Sequence, residues 1–251
     1  MTSGSSDLRG RLSLYHQHTR HTFTAFLMGV PLTLAYALAV VSSSVSAEKR
    51  DFLIRIQIDL VGEDAYRWVQ VGLAAAFIVL AAVLYRRGRF EPRYFGPLVV
   101  ESMLYAAMAS AIVWFALHGL HLRPPFEPPT PGLAPVVSAL GEAVNEETLF
   151  RWVLLELLFA FASRVGKLPP WVARSLAVLF GAALFAVVGT FGAPLVTNDM
   201  VSVAARIFTL AVEGGFFGVL YFLRGYPACA YTHTFFATFW GGVVPYLGVR
   251  F

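Results

Sequence analysis

Apolar runs of about 20 residues recur along this chain, each as long as a helix must be to cross the hydrocarbon core of a bilayer. They fall at 23–44, 68–85, 95–118, 134–163, 171–191, 203–222 and 228–247. Inside lipid, backbone polar groups must be satisfied by the segment itself, which leaves the helix as the form for runs of this kind. The expected fold is all-α: a polytopic membrane helix bundle of about seven spans. Composition points the same way. Hydrophobic residues make up 57% of the 251 and charged ones 14%, against roughly 25% charged in soluble domains. A water-soluble fold of this size could not hide so much apolar surface.

The layout divides into a polar tail (1–22), N-terminal membrane helices (23–132) and a second membrane unit (133–251). The tail carries Arg9, Arg11, Arg20 and His16, His18 and His21, the histidines reading as a solvated juxtamembrane cluster. The run after it is too long for the apolar core of a removable signal peptide, so it is expected to stay as a span. Segment 50–67 mixes Leu53, Ile54, Ile56 and Ile58 with charges and is expected to lie at the membrane interface. Pro124, Pro125, Pro128, Pro129 and Pro131 exclude a helix between the third and fourth runs.

The net charge is +4, carried mostly by arginines clustered between apolar runs, such as Arg86, Arg87, Arg89 and Arg93. That is loop charge of a membrane protein, and no basic face suited to nucleic acid is present. With a cytoplasmic N-terminus that side holds Arg9, Arg11, Arg20, Arg86, Arg87, Arg89, Arg93, Arg164, Lys167 and Arg224. The other side holds Lys49, Arg50, Arg55, Arg67, Arg123 and Arg250. Ten against six favours that orientation. The single cysteine, Cys229, rules out a disulfide within the chain.

The run at 134–163 is unlike the others. It holds Glu142, Glu146, Glu147, Arg151 and Glu156, each costing roughly 2.5–3.5 kcal/mol on insertion into a membrane. At about 100° per residue, Glu142, Glu146 and Glu156 fall in one stripe, and Glu147 and Arg151 share another face at the i, i+4 spacing of an ion pair. Two polar faces place this helix centrally, enclosed by other spans. Glu146, next to that pair, reads either as a general base acting on water or as part of a structural ion-pair network.

Glu146-Glu147-Thr148-Leu149-Phe150-Arg151, an E-E-x-x-x-R sequence inside a membrane helix, resembles the first motif of the CPBP family of intramembrane proteases. That family groups CAAX prenyl endopeptidases with Abi-type bacteriocin-processing and immunity proteins, and the resemblance covers residues 134–247. The family's second motif is F-x-x-x-H. At the matching distance stand Phe180 to Leu184, with leucine at the histidine position. The last motif, H-x-x-x-N, is matched by His233 to Ala237, with alanine for asparagine.

What the resemblance implies is an endopeptidase using a glutamate-activated water on membrane-associated peptide or protein substrates. Glu146 would be the base, Glu147 and Arg151 would orient it or engage substrate, and His233 would donate to the oxyanion. The two departures favour an alternative, a proteolytically inactive relative that binds a partner or acts as a scaffold. The implied partners are membrane lipids and a membrane-associated peptide or protein, and the implied location is a bacterial cytoplasmic membrane. No cofactor is assigned. A zinc ion would find Glu146 and His233 but needs a third ligand, which His118 and His121 supply only by reaching in from the mouth of the third run.

Glu101, Arg206 and Glu213 are expected to pair within the bundle, with a place beside Glu146 as the alternative. Gly214-Gly215 and Gly241-Gly242 are expected to permit close helix packing, and Trp68, Tyr85 and Trp171 to mark the interfacial belt. A transporter reading has buried carboxylates in its favour but no inverted repeat.

Overall fold

The structure, a computed structural model, describes residues 10, 13–17, 19, 22–42, 52–87, 92–120, 134–192 and 200–243, and every regular element among them is helical. The helices are α1 (Thr22–Ser42), α2 (Phe52–Val61), α3 (Glu63–Arg86), α4 (Phe95–Gly119), α5 (starting as Ala134–Glu146), α6 (Pro170–Phe191), α7 (Met200–Arg224) and α8 (Tyr226–Thr238). Helix α5 continues without a break through a π-helical stretch, Glu147–Leu155, an α-helical turn, Glu156–Ala160, and a π-helical end, Phe161–Val165. Helix α8 likewise runs on through Phe239–Val243.

Among the described residues four helices are long and apolar enough to cross a bilayer: Glu63–Arg86, Pro92–Gly119, Pro170–Phe191 and Met200–Arg224. Their outer faces expose Ile78 and Val79, Leu104 and Phe115, Leu179 and Phe180, and Val219 and Leu223. Lipid, unlike water, solvates such faces, and the chain is a membrane-embedded helix bundle. Helix α1 carries a shorter apolar stretch, Leu27–Val40, and the apolar sequence of α5 is interrupted by charges.

The chain turns at two glycines whose backbone favours residues without a Cβ: Gly62 (φ 84°) separates α2 from α3, and Gly225 (φ 86°) separates α7 from α8. The segment expected at the interface therefore divides in two. Its first part, α2, packs Ile54 and Ile58 against Tyr36, Val40 and Tyr66. Its second part is the first turn of α3, where Glu63 and Asp64 meet the positive end of the helix dipole. The proline-rich loop, with His18, His21 and His121, lies outside the described residues.

Helices α6 and α7 pack closely on small residues. A methyl group added at Gly214 would come within 3.0 Å of the Ala182 α-carbon, whereas one at Gly215 would meet open space. Within the first expected glycine pair only Gly214 mediates such a contact, and Gly241 of the second is exposed. Helix α8 is the centre of the bundle, with Pro227 through Thr234 all buried. It is tied to α1 by Tyr231 Oη donating to the Met28 carbonyl (3.0 Å) and to α4 by Ser102 Oγ donating to the Ala228 carbonyl (3.5 Å). The front half of α5 is enclosed as expected, but its rear half exposes Val153, Leu157 and Phe161.

Candidate functional site

Four of the expected residues meet where α5 crosses α8. Glu146 and Glu147 stand at the junction where α5 passes from α-helical to π-helical winding, a distortion often found at functional sites. His233, 86 residues further along the chain, projects from α8 so that its Nδ1 lies 2.8 Å from Glu147 Oε1. An ionised carboxylate only accepts, so Nδ1–H is the donor and Glu147 fixes the imidazole. The other carboxylate oxygen of Glu147 lies 3.4 Å from Arg151 Nε. Glu147 and Arg151 are 0% and 1% exposed at their side chains. Glu147 thus bridges a guanidinium and an imidazole in a dry setting.

The far nitrogen of the imidazole, Nε2, faces Glu146 Oε2 at 3.9 Å and Glu213 Oε1 at 3.6 Å. These separations exceed a direct hydrogen bond and suit bridging through water. Glu213 is thus beside His233, whereas Arg206 donates to the Gly189 carbonyl at 3.2 Å. Of the two expected placements of Glu213, pairing within the bundle or a place beside Glu146, the contact to His233 matches the second. The signal for Glu213 was present in the sequence, as the one carboxylate in the whole of Met200–Arg224.

Aromatic rings line the floor. Phe217 stacks on His233 with centroids 4.9 Å apart and planes at 23°. The Arg151 guanidinium lies over Phe185 at 4.4 Å and Phe217 at 5.5 Å, a cation–π arrangement that partly replaces water around the cation. Arg151 Nη1 and Nη2 are buried and accepted by no protein group. Sequence patterns gave no hint of this shelf, because phenylalanine is abundant in every run.

Two expected placements fail. Glu156 leaves the stripe of Glu142 and Glu146: it is exposed and accepts from Tyr221 Oη at 2.8 Å. The 100° period assumes α-helical winding, and the π-helical stretch from 147 to 155 unwinds it. Phe180 and Leu184, the counterparts of F-x-x-x-H, point out of the bundle at 63% and 44% exposure. Helix α6 instead turns Phe185 inward. Ala237 is half-buried, one turn after His233. Among the described residues no group of three or more His, Cys, Asp or Glu side chains is arranged to hold a metal ion. His118 stacks on Trp114 instead (centroids 6.1 Å apart).

A second polar cluster closes the opposite flank. Arg224 at the end of α7 forks onto Glu101 of α4, with Nε and Nη2 each 2.5 Å from one carboxylate oxygen. Tyr105 Oη donates to the same carboxylate at 2.7 Å and Tyr15 Oη from the helical tail segment 13–17 at 2.6 Å. Arg224 also meets His16 and lies 5.0 Å over the Tyr15 ring. Burial and the neighbouring carboxylate push the Tyr15 phenol above its ordinary value, which keeps it a donor. Glu101 pairing within the bundle is as expected.

No protein-family model, curated protein or solved structure matches this chain, so the chemistry of the site stands on its own geometry.

Proposed function

We propose that the chain is a membrane-embedded hydrolase of the CPBP type that cuts membrane-associated peptide or protein segments with a glutamate-activated water. One observation carries the reading: Glu146, Glu147 and Arg151 of α5 converge with His233 of α8, and the free nitrogen of the imidazole faces Glu146.

In that reaction Glu146 takes a proton from water as the water oxygen attacks the scissile carbonyl carbon. The carbonyl oxygen becomes an oxyanion and accepts from His233 Nε2–H, with the imidazolium held by Glu147 on its other side. Glu146 then passes its proton to the amide nitrogen as the C–N bond breaks, leaving a carboxylic acid and an amine. Arg151 holds Glu147 in place at the i, i+4 spacing. Its burial, with that of Glu147, supports a role in geometry over contact with substrate. The asymmetry of Lys and Arg supports a cytoplasmic N-terminus, and the family resemblance a bacterial cytoplasmic membrane.

The test is processing of co-expressed candidate membrane peptides by wild type, Glu146→Gln and His233→Ala. Loss of the base or the donor should slow cleavage by about 10²–10⁴-fold. Cleavage unaffected by either change removes the reading. The outward-facing Leu184 favours a second reading, a non-cleaving binding protein. That one stands if wild type cleaves nothing while its cellular effect survives both changes.

A further inference from the structure

Glu213 is costly where it stands. A carboxylate in the apolar part of a span is unfavourable by roughly 2.5–3.5 kcal/mol on insertion scales and commonly marks function. It is also firmly placed. Gly214, the next residue, sits against the Ala182 backbone of α6, so α7 has little freedom to rotate Glu213 elsewhere. One turn on, Phe217 stacks on the His233 ring, so positions i and i+4 of α7 both serve the same imidazole.

The charges make the arrangement specific. His233 is faced by Glu146, Glu147 and Arg151 from α5 and by Glu213 from α7, and Glu142 of α5 stands near Glu213. Around the imidazole itself stand Glu146, Glu147 and Glu213 against the single fixed cation of Arg151. A buried set with that imbalance calls for a further proton, on an imidazole or on a carboxylate. His233 is placed to carry one, with Nε2 within 4 Å of both Glu146 and Glu213.

We propose that Glu213 is a positioning residue that acts through His233: across a gap that suits one bridging water it shares the Nε2 proton, which keeps that nitrogen a donor toward the reacting carbonyl. Its chemical purpose rests on the hydrolase reading, whereas the contact with His233 does not. Glu213 thereby supplies from α7 a polar partner that α6, with Leu184 turned outward, does not supply. A merely structural carboxylate would stabilise helix packing and leave the imidazole proton where it is.

The experiment is ¹⁵N NMR of histidine-labelled full-length protein in lipid nanodiscs, with the His233 signals identified by their loss in His233→Gln. Wild type, Glu213→Gln, Glu213→Asp and Glu156→Gln are compared across a pH titration. The pH at which His233 is half protonated at Nε2 should fall by about one unit or more in Glu213→Gln, the effect of losing a nearby carboxylate. Aspartate should restore part of it, and Glu156→Gln should match wild type. An unchanged His233 spectrum in Glu213→Gln overturns the inference. If Glu213→Gln does not fold, Glu213→Asp decides alone: a spectrum identical to wild type overturns the inference, and a partial loss supports it.

Cleavage is read separately. If wild type cleaves nothing, the hydrolase reading fails while the shared proton stands or falls by NMR. If wild type cleaves, Glu213→Gln should shift the pH–rate profile. An unshifted profile at the wild-type rate overturns the positioning role.

Discussion

Replacing Arg151 by methionine should destabilise the bundle by about 3–5 kcal/mol, the penalty typical of leaving a buried charge without its partner. Across 3.4 Å the Arg151–Glu147 attraction amounts to about 5 kcal/mol at an effective dielectric of about 20. Desolvation of the two ions opposes it by several kcal/mol each. The pair as a whole is therefore close to neutral, whereas either charge alone is not. Methionine keeps most of the volume over Phe185 and Phe217, and its sulfur makes contacts of about 0.3–1.5 kcal/mol with such rings. Most of the loss is therefore electrostatic.

The double variant Glu147→Gln/Arg151→Met removes both charges, and glutamine still offers an oxygen to His233 Nδ1. It should recover about 2 kcal/mol of the single loss, a coupling within the range measured for contacting residues. Unfolding of the purified protein in mixed micelles by added SDS, followed by tryptophan fluorescence, gives the four corners of the cycle. An Arg151→Met variant within about 1 kcal/mol of wild type, or a strictly additive cycle, would show that Arg151 is not the counter-ion of this site.

Gly214→Ala should destabilise by about 1–3 kcal/mol, because its methyl meets backbone that cannot yield. Gly215→Ala, facing open space, should be neutral or stabilise by up to about 1 kcal/mol, and thermal unfolding in detergent separates the two. Gly62→Ala should cost about 1–3 kcal/mol, since its φ of 84° is strained for any residue with a Cβ. The same melts read it. Glu101→Gln leaves Arg224 without its forked acceptor and weakens the hold on Tyr15. Limited proteolysis should then cut the 13–19 segment faster than in wild type, and equal rates would mean that the clasp does not anchor the tail.

Much of the site was legible in the residues. Charges are rare in the apolar runs, so five of them within 134–163 drew attention to α5, and the i, i+4 spacing of Glu147 and Arg151 named their ion pair correctly. What misled was periodicity carried too far. It placed Glu156 with Glu146 because nothing in Glu147–Leu155 announces π-helical winding. Glu213 was ambiguous for a different reason. Seven residues from Arg206 puts both on one face of α7, but which neighbour that face meets depends on how the glycine contacts set α7 against α6 and α8. Such rotations are tertiary, and a single span does not encode them. Among the described residues length and apolarity single out α3, α4, α6 and α7, while α1 carries a shorter apolar stretch, Leu27–Val40, and the apolar run of α5 is interrupted by charges.

Two adjacent glutamates could be read as redundant, yet their surroundings divide the work between them. Glu147 is sealed, with one oxygen toward Arg151 and the other accepting from His233 Nδ1. Its side chain is fully buried, and its part is to fix an imidazole. Glu146 keeps some exposure, 9% at its side chain, and faces the opposite edge of the same ring. In the proposed hydrolysis a substrate would reach this site from the Glu146 and Glu213 side, over Nε2. The proton moved in that reaction would belong to water and Glu146, while the proton on Nδ1 would stay fixed. This asymmetry makes Glu147→Gln a test of stability and orientation, and Glu146→Gln a test of chemistry: the first should change the fold energy and the imidazole, the second the rate alone.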